Sequence, residues 1–131
     1  MTVSEFNLQV RPQPGVTVLD LEGEINGLAE KALSSGYTEA EGTGADTILL
    51  NFARVDYINS TGIALIVSLL ARARATHRRL LACGLSDHYV EIFNITRLAD
   101  FMTVFSDEAS ALSGAATNGA AQFNQDGSRT A

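Results

Sequence analysis

Asn59, Ser60, Thr61 and Gly62 stand immediately before the apolar run from Ile63 to Ala71. Hydroxyls at such a place have distinct chemical uses. Together with the Asn59 amide they can cap the helix that the run forms, accepting hydrogen bonds from the free N–H groups of its first turn. They can receive a phosphoryl group, whose charge of about -1.5 to -2 is tolerated at the positive end of a helix but must be desolvated by any partner packed over it. One of them can also act as a nucleophile with His88 as base, which requires a nucleophile, a base and an orienting acid to converge without a local signature. Capping explains one polar residue well. It explains less well a row of them, or Gly62 in the first turn, where glycine lowers helix propensity. A glycine beside a hydroxyl lets another protein's backbone or active site come close.

The other residues able to do chemistry point away from an enzyme. The glycines form neither a P-loop nor a dinucleotide fingerprint, and "GTGAD" opens a strand, not a helix. Ser60 is outside any G-x-S-x-G elbow. His77 and His88 lack a second ligand at helical spacing, so no metal is expected, and nothing calls for a cofactor. Cys83, the single cysteine, cannot form an internal disulfide and fits a reducing compartment. Its place in "RRLLACG" gives it a core role.

A formal net charge of -6 argues against nucleic acid as partner, because phosphate neutralisation needs a basic face. The basic cluster Arg72, Arg74, His77, Arg78 and Arg79 lies at the end of a helical pattern, where cations complement the helix C-terminus. The N-terminus has no secretory pattern, and the stretch from Ile63 to Ala71 is too short to span a bilayer. These features predict a cytoplasmic protein with no membrane association.

The elements that must position Ser60 and Thr61 follow from periodicity. "FNLQV" and "VTVLDLEG" alternate around Pro12, Pro14 and Gly15, which predicts a hairpin with those residues as the break. After Gly23 the spacing of Leu28, Ala29, Ala32, Leu33 and Tyr37 predicts a helix with these residues on one face. "TILLNF" is a short central strand covered on both sides, "GIALIVSLLARARATH" a buried helix and "RRLLACG" another strand, giving a parallel crossover. "SDHYVEIFNI" reads as a capped helix, "DFMTVF" as an edge strand and "SDEASAL" as a short closing helix. The sum is an α/β domain over residues 1–112, with an N-terminal hairpin, a mixed, mainly parallel sheet and about four helices. The small, polar segment 113–131 is expected to be a disordered tail.

"VDYINSTGIALIVSLLARAR" resembles the signature of STAS domains of the anti-sigma factor antagonist family, and "LDLEGEIN", Leu19 to Asn26, resembles the family's segment at the end of its second strand. The resemblance covers roughly residues 5–112 and implies a non-enzymatic bacterial regulator of transcription. Unphosphorylated, such a protein binds an anti-sigma factor, often a serine/threonine kinase of the histidine-kinase-like ATPase fold, and so releases a sigma factor. Phosphorylation by that kinase ends the association and a phosphatase restores it. The family's acceptor is the hydroxyl before the glycine, which carries over to Thr61, with Ser60 the second choice.

The expected partner surface comprises Asn26, Tyr57, Asn59, Ser60, Thr61, Gly62, Ile63, His88 and Tyr89. Asn26 and Asn59 replace aspartates common in the family, which makes a phosphate at Thr61 less repelled by its own domain and removes carboxylates a kinase can recognise. The competing readings are a STAS scaffold or relay module in which Thr61 is only a cap, and an enzyme or small-ligand domain with a deep polar pocket at the same sheet edge.

Overall fold

The computed structural model describes residues 5–118. β1 (Asn7–Gln13) and β2 (Val16–Ile25) pair antiparallel from Asn7 opposite Glu22 to Gln13 opposite Val16. Pro14 and Gly15 form the turn between them, and Gly15 takes the left-handed φ of +77° that favours glycine. Pro12, expected as part of the break, lies instead inside β1 opposite Thr17. β1 is an edge strand, and an edge accommodates a residue without an N–H.

A 3-10 turn over Gly27–Ala29 precedes α1 (Glu30–Gly42). Ala29, Leu33, Tyr37 and Ala40 form its buried face, whereas Leu28 and Ala32, expected on that face, are exposed. Helical geometry is the reason: Ala29, Leu33, Tyr37 and Ala40 recur every three or four residues on one face, and Leu28 and Ala32, each one residue earlier, fall on the adjoining solvent side. β3 (Thr47–Ile58) runs well beyond the predicted "TILLNF" and leads into α2 (Ser60–Ala75), which starts two residues before Gly62. β4 (Arg79–Cys83), α3 (Asp87–Ile95), β5 (Thr103–Phe105) and α4 (Glu108–Asn118) follow.

The strands lie in the order β1-β2-β3-β4-β5, and every pair after the hairpin is parallel. Alternation along β3 divides the core in two. Ile48, Leu50 and Phe52 join the large cluster under α1, α2 and α3, which includes Leu33, Tyr37, Ile66, Leu69 and Phe93. Leu49 faces the other way and packs with Val16, Val18, Leu81, Cys83, Ala111 and Ala115 beneath α4. α4 therefore continues past the predicted boundary at residue 112, because Ala115 is part of this smaller core and Gly114 sits against the Phe105 ring. The remainder of the expected tail, from Gly119, lies outside the described residues. Arg11 fastens α4 to the hairpin by donating to both Asp20 and Glu108.

Candidate functional site: the corner where β2 and β3 end

β2 and β3 finish side by side, with Ile25 in register with Ile58, so the start of α2 is brought against the end of β2. The amide of Asn59 donates to the Ile25 carbonyl at 3.2 Å. Asn59 then caps α2: its Oδ1 accepts from the Gly62 N–H at 2.8 Å. Gly62 is buried, and a Cβ there would lie 2.1 Å from the Ile25 oxygen and 2.9 Å from Ile58 Cγ2. The close approach that Gly62 permits is thus internal, to the chain's own β2, and not to a partner's backbone.

Ser60 and Thr61 are exposed in the first turn of α2. Position 27 lies under Thr61, with 3.7 Å between an ideal Cβ at Gly27 and Thr61 Cγ2. The hydroxyl is therefore carried at the positive end of a sixteen-residue helix, where a phosphate's charge is electrostatically favoured.

Asn26 is partly exposed and locks the opposite side of the corner. Its Oδ1 accepts from the Leu28 N–H at 2.9 Å, and its Nδ2 donates to Glu24 Oε2 at 2.9 Å. An aspartate at position 26 would set a second carboxylate against Glu24 and lose that donor. The asparagine is the residue that this local geometry accepts.

The remaining predicted residues divide by role. Tyr57 is half exposed near the end of β3, opposite Glu24 in the ladder, and Ile63 is half-buried against the main core. His88 is exposed on α3, its ring centroid 4.8 Å from that of Tyr89. Tyr89 is itself buried. Its hydroxyl accepts from the Ile58 N–H at 2.9 Å and stands 3.4 Å from the Ile58 carbonyl, so it holds the last residue of β3 from behind and positions the loop. The structure thus brings Asn26, Tyr57, Asn59, Ser60, Thr61, Gly62 and Ile63 to one corner, with Tyr89 as its internal support.

Reasoning from sequence did not bring Gly27 to this corner, and it put Leu28 on a buried helix face. The signal was the Asn-Gly pair at 26 and 27, a turn signature that the helical spacing of later residues obscured.

Elsewhere, burial pushes the Cys83 thiol up to about 11, with Glu108, Asp107 and Asp20 adding to the effect, so it stays protonated in the core. Among the described residues, no group of three or more His, Cys, Asp or Glu side chains could hold a metal ion. Among them, too, no helix is long and apolar enough to cross a membrane.

The STAS domain profile matches residues 7–111. The chain belongs to the STAS domain family. This STAS chain is 29% identical over 99 residues to the anti-sigma-B factor antagonist of Staphylococcus aureus strain NCTC 8325, a match covering 76% of this chain and 92% of that one. Its fold is similar to that of an anti-sigma factor antagonist from Mycobacterium paratuberculosis, with a TM-score of 0.75 at 14% identity over 86% of this chain and 95% of the other. It is also similar to the Bacillus cell fate determinant SpoIIAA in its phosphorylated form, with a TM-score of 0.62 at 24% identity over 83% and 97% of the respective chains.

Proposed function

We propose that this protein is an anti-sigma factor antagonist whose binding is switched by phosphorylation at Thr61. Unphosphorylated, it binds an anti-sigma factor that is a serine/threonine kinase of the histidine-kinase-like ATPase fold; phosphoryl transfer to Thr61 ends the association and a phosphatase reverses it. The observation that carries the reading is an exposed threonine on a corner whose backbone is held by the Asn59 cap, the Tyr89 hydroxyl on Ile58 and the close contact of Gly62 with Ile25. Membership of the family and the names of its relatives support the antagonist role.

The step requires little of the domain itself. Thr61 Oγ1 attacks the γ-phosphorus of the kinase's ATP, the bond from that phosphorus to the β–γ bridging oxygen breaks to release ADP, and the hydroxyl proton passes to a base on the kinase. This chain's contribution is to hold the acceptor still and to provide the helix N-terminus that tolerates the product. The new charge then lies where the partner must desolvate it, which expels the partner while leaving the fold intact. Incubating the protein with such kinases from the source organism and ATP, followed by fragment mass spectrometry, tests this. Phosphate at Thr61 is expected, and none in Thr61→Ala.

A second reading, a STAS scaffold without phosphocontrol, is favoured by the asparagines: Asn26 and Asn59 both serve as caps, and neither offers a kinase a carboxylate. It predicts an assembly that Thr61→Glu leaves unchanged.

A further inference from the structure

Leu28 is 92% exposed on the 3-10 turn that follows β2. A single exposed leucine is ordinary on a protein surface. Leu28 is set apart by how firmly it is held out. Its N–H is bound by Asn26 Oδ1, the next amide, Ala29, donates to the Asn26 carbonyl at 3.0 Å, and Asn26 is in turn fixed by Glu24. The neighbouring Ala29, not Leu28, enters the core. Among the described residues the leucine side chain is left almost wholly to solvent, yet the turn fixes where its backbone presents it.

Leu28 is also one residue from Gly27, the position that lies under the Thr61 methyl. On the far side of the corner Tyr57 is 51% exposed. The framing segments, 24–31 and 54–62, carry Glu24, Glu30 and Asp56 against Lys31 and Arg54, an acidic excess.

We infer that Leu28 is the apolar anchor of the partner interface, inserting into a hydrophobic pocket with a basic rim on the anti-sigma factor. The inference rests on the antagonist reading above and adds to it the chemistry of the complementary surface. An anchor held on a capped turn costs little ordering entropy on binding, a property of residues that dominate interface energetics. The acidic frame complements a basic rim and orients the encounter. Phosphorylation at Thr61 then acts at the anchor's edge: it places a dianion beside the apolar insertion and adds to charge that is already negative.

The test uses the full chain and purified kinases of the histidine-kinase-like ATPase fold from the source organism, added singly with ADP. Kd is measured by calorimetry for wild type, Leu28→Ala, Leu28→Met and Thr61→Glu, with the melting temperature of each. Leu28→Ala is expected to weaken binding by at least about tenfold at an unchanged melting temperature, with Leu28→Met restoring most of it. If a kinase binds wild type and Leu28→Ala stays within roughly twofold, or if Leu28→Ala lowers the melting temperature as much as it weakens binding, the anchor is overturned while the antagonist reading stands. If no kinase binds wild type, the antagonist reading fails and the anchor with it.

Discussion

Gly62 packs against the backbone of Ile25 so closely that a Cβ would come within 2.1 Å of the Ile25 oxygen. The contact joins the end of β2 to the start of α2 and places Thr61 beside the Asn26–Leu28 turn. Gly62→Ala therefore collides with backbone, which cannot rotate away as a flexible side chain can. The overpacking cost, about 1–3 kcal/mol, outweighs the helix-propensity gain of about 1 kcal/mol. Urea unfolding is expected to show a lower midpoint with an unchanged slope.

Tyr89→Phe removes the acceptor of the buried Ile58 N–H. The expected loss is about 1–3 kcal/mol. Amide exchange at Ile58 and Asn59 should accelerate more than exchange in the centre of β3, which separates loosening of this corner from general destabilisation.

Tyr37 makes the opposite case. Its side chain is buried, its hydroxyl has no hydrogen-bond partner among the described residues, and the Arg72 guanidinium stacks 4.7 Å from its ring centre. Tyr37→Phe keeps the stacking and removes an unsatisfied polar atom. Thermal melting should show unchanged or increased stability, by up to about 1 kcal/mol.

Arg11 donates to Asp20 at 2.8 and 3.0 Å and to Glu108 at 2.9 and 2.6 Å. Its guanidinium holds both carboxyls below their ordinary values, against the opposing effect of burial. Carboxylates lowered in the folded state stabilise it fully above their unfolded pKa values, near about 4, and lose that contribution as pH falls through the lowered ones. Stability should therefore decline on acidification below about pH 4, and Arg11→Met should flatten that part of the curve. All three groups are about one-third exposed, so added salt should shrink the difference.

The fold was legible where one periodicity dominated. "TILLNF", short, apolar and bounded by turn residues, suits a strand covered on both faces, and an asparagine and two hydroxyls ahead of an apolar run mark a helix cap, which Asn59 supplies. Misreadings arose where a residue's role depended on a distant segment. Gly62 was given a partner to approach because nothing local reveals that the Ile25 carbonyl lies over it. Leu28 reads as a buried-face residue because it stands four residues before Ala32, yet both lie on the solvent side of the face that Ala29, Leu33 and Tyr37 bury. Local pattern puts Tyr89 on the partner surface, whereas its hydroxyl is buried and holds Ile58 thirty-one residues away. Pro12 and Ala115 depended on the sheet's edge and its second face, neither of which is written in local pattern.

Whether phosphate on Thr61 controls partner binding is tested most directly by the affinity for the anti-sigma factor kinase with Thr61 unmodified and stoichiometrically phosphorylated. Tight binding of the unmodified chain is expected, with a loss of at least about a hundredfold on phosphorylation, on the order of 3 kcal/mol. Equal affinity of the two forms would contradict that control and leave "INSTG" as a helix cap within a constitutive binding surface.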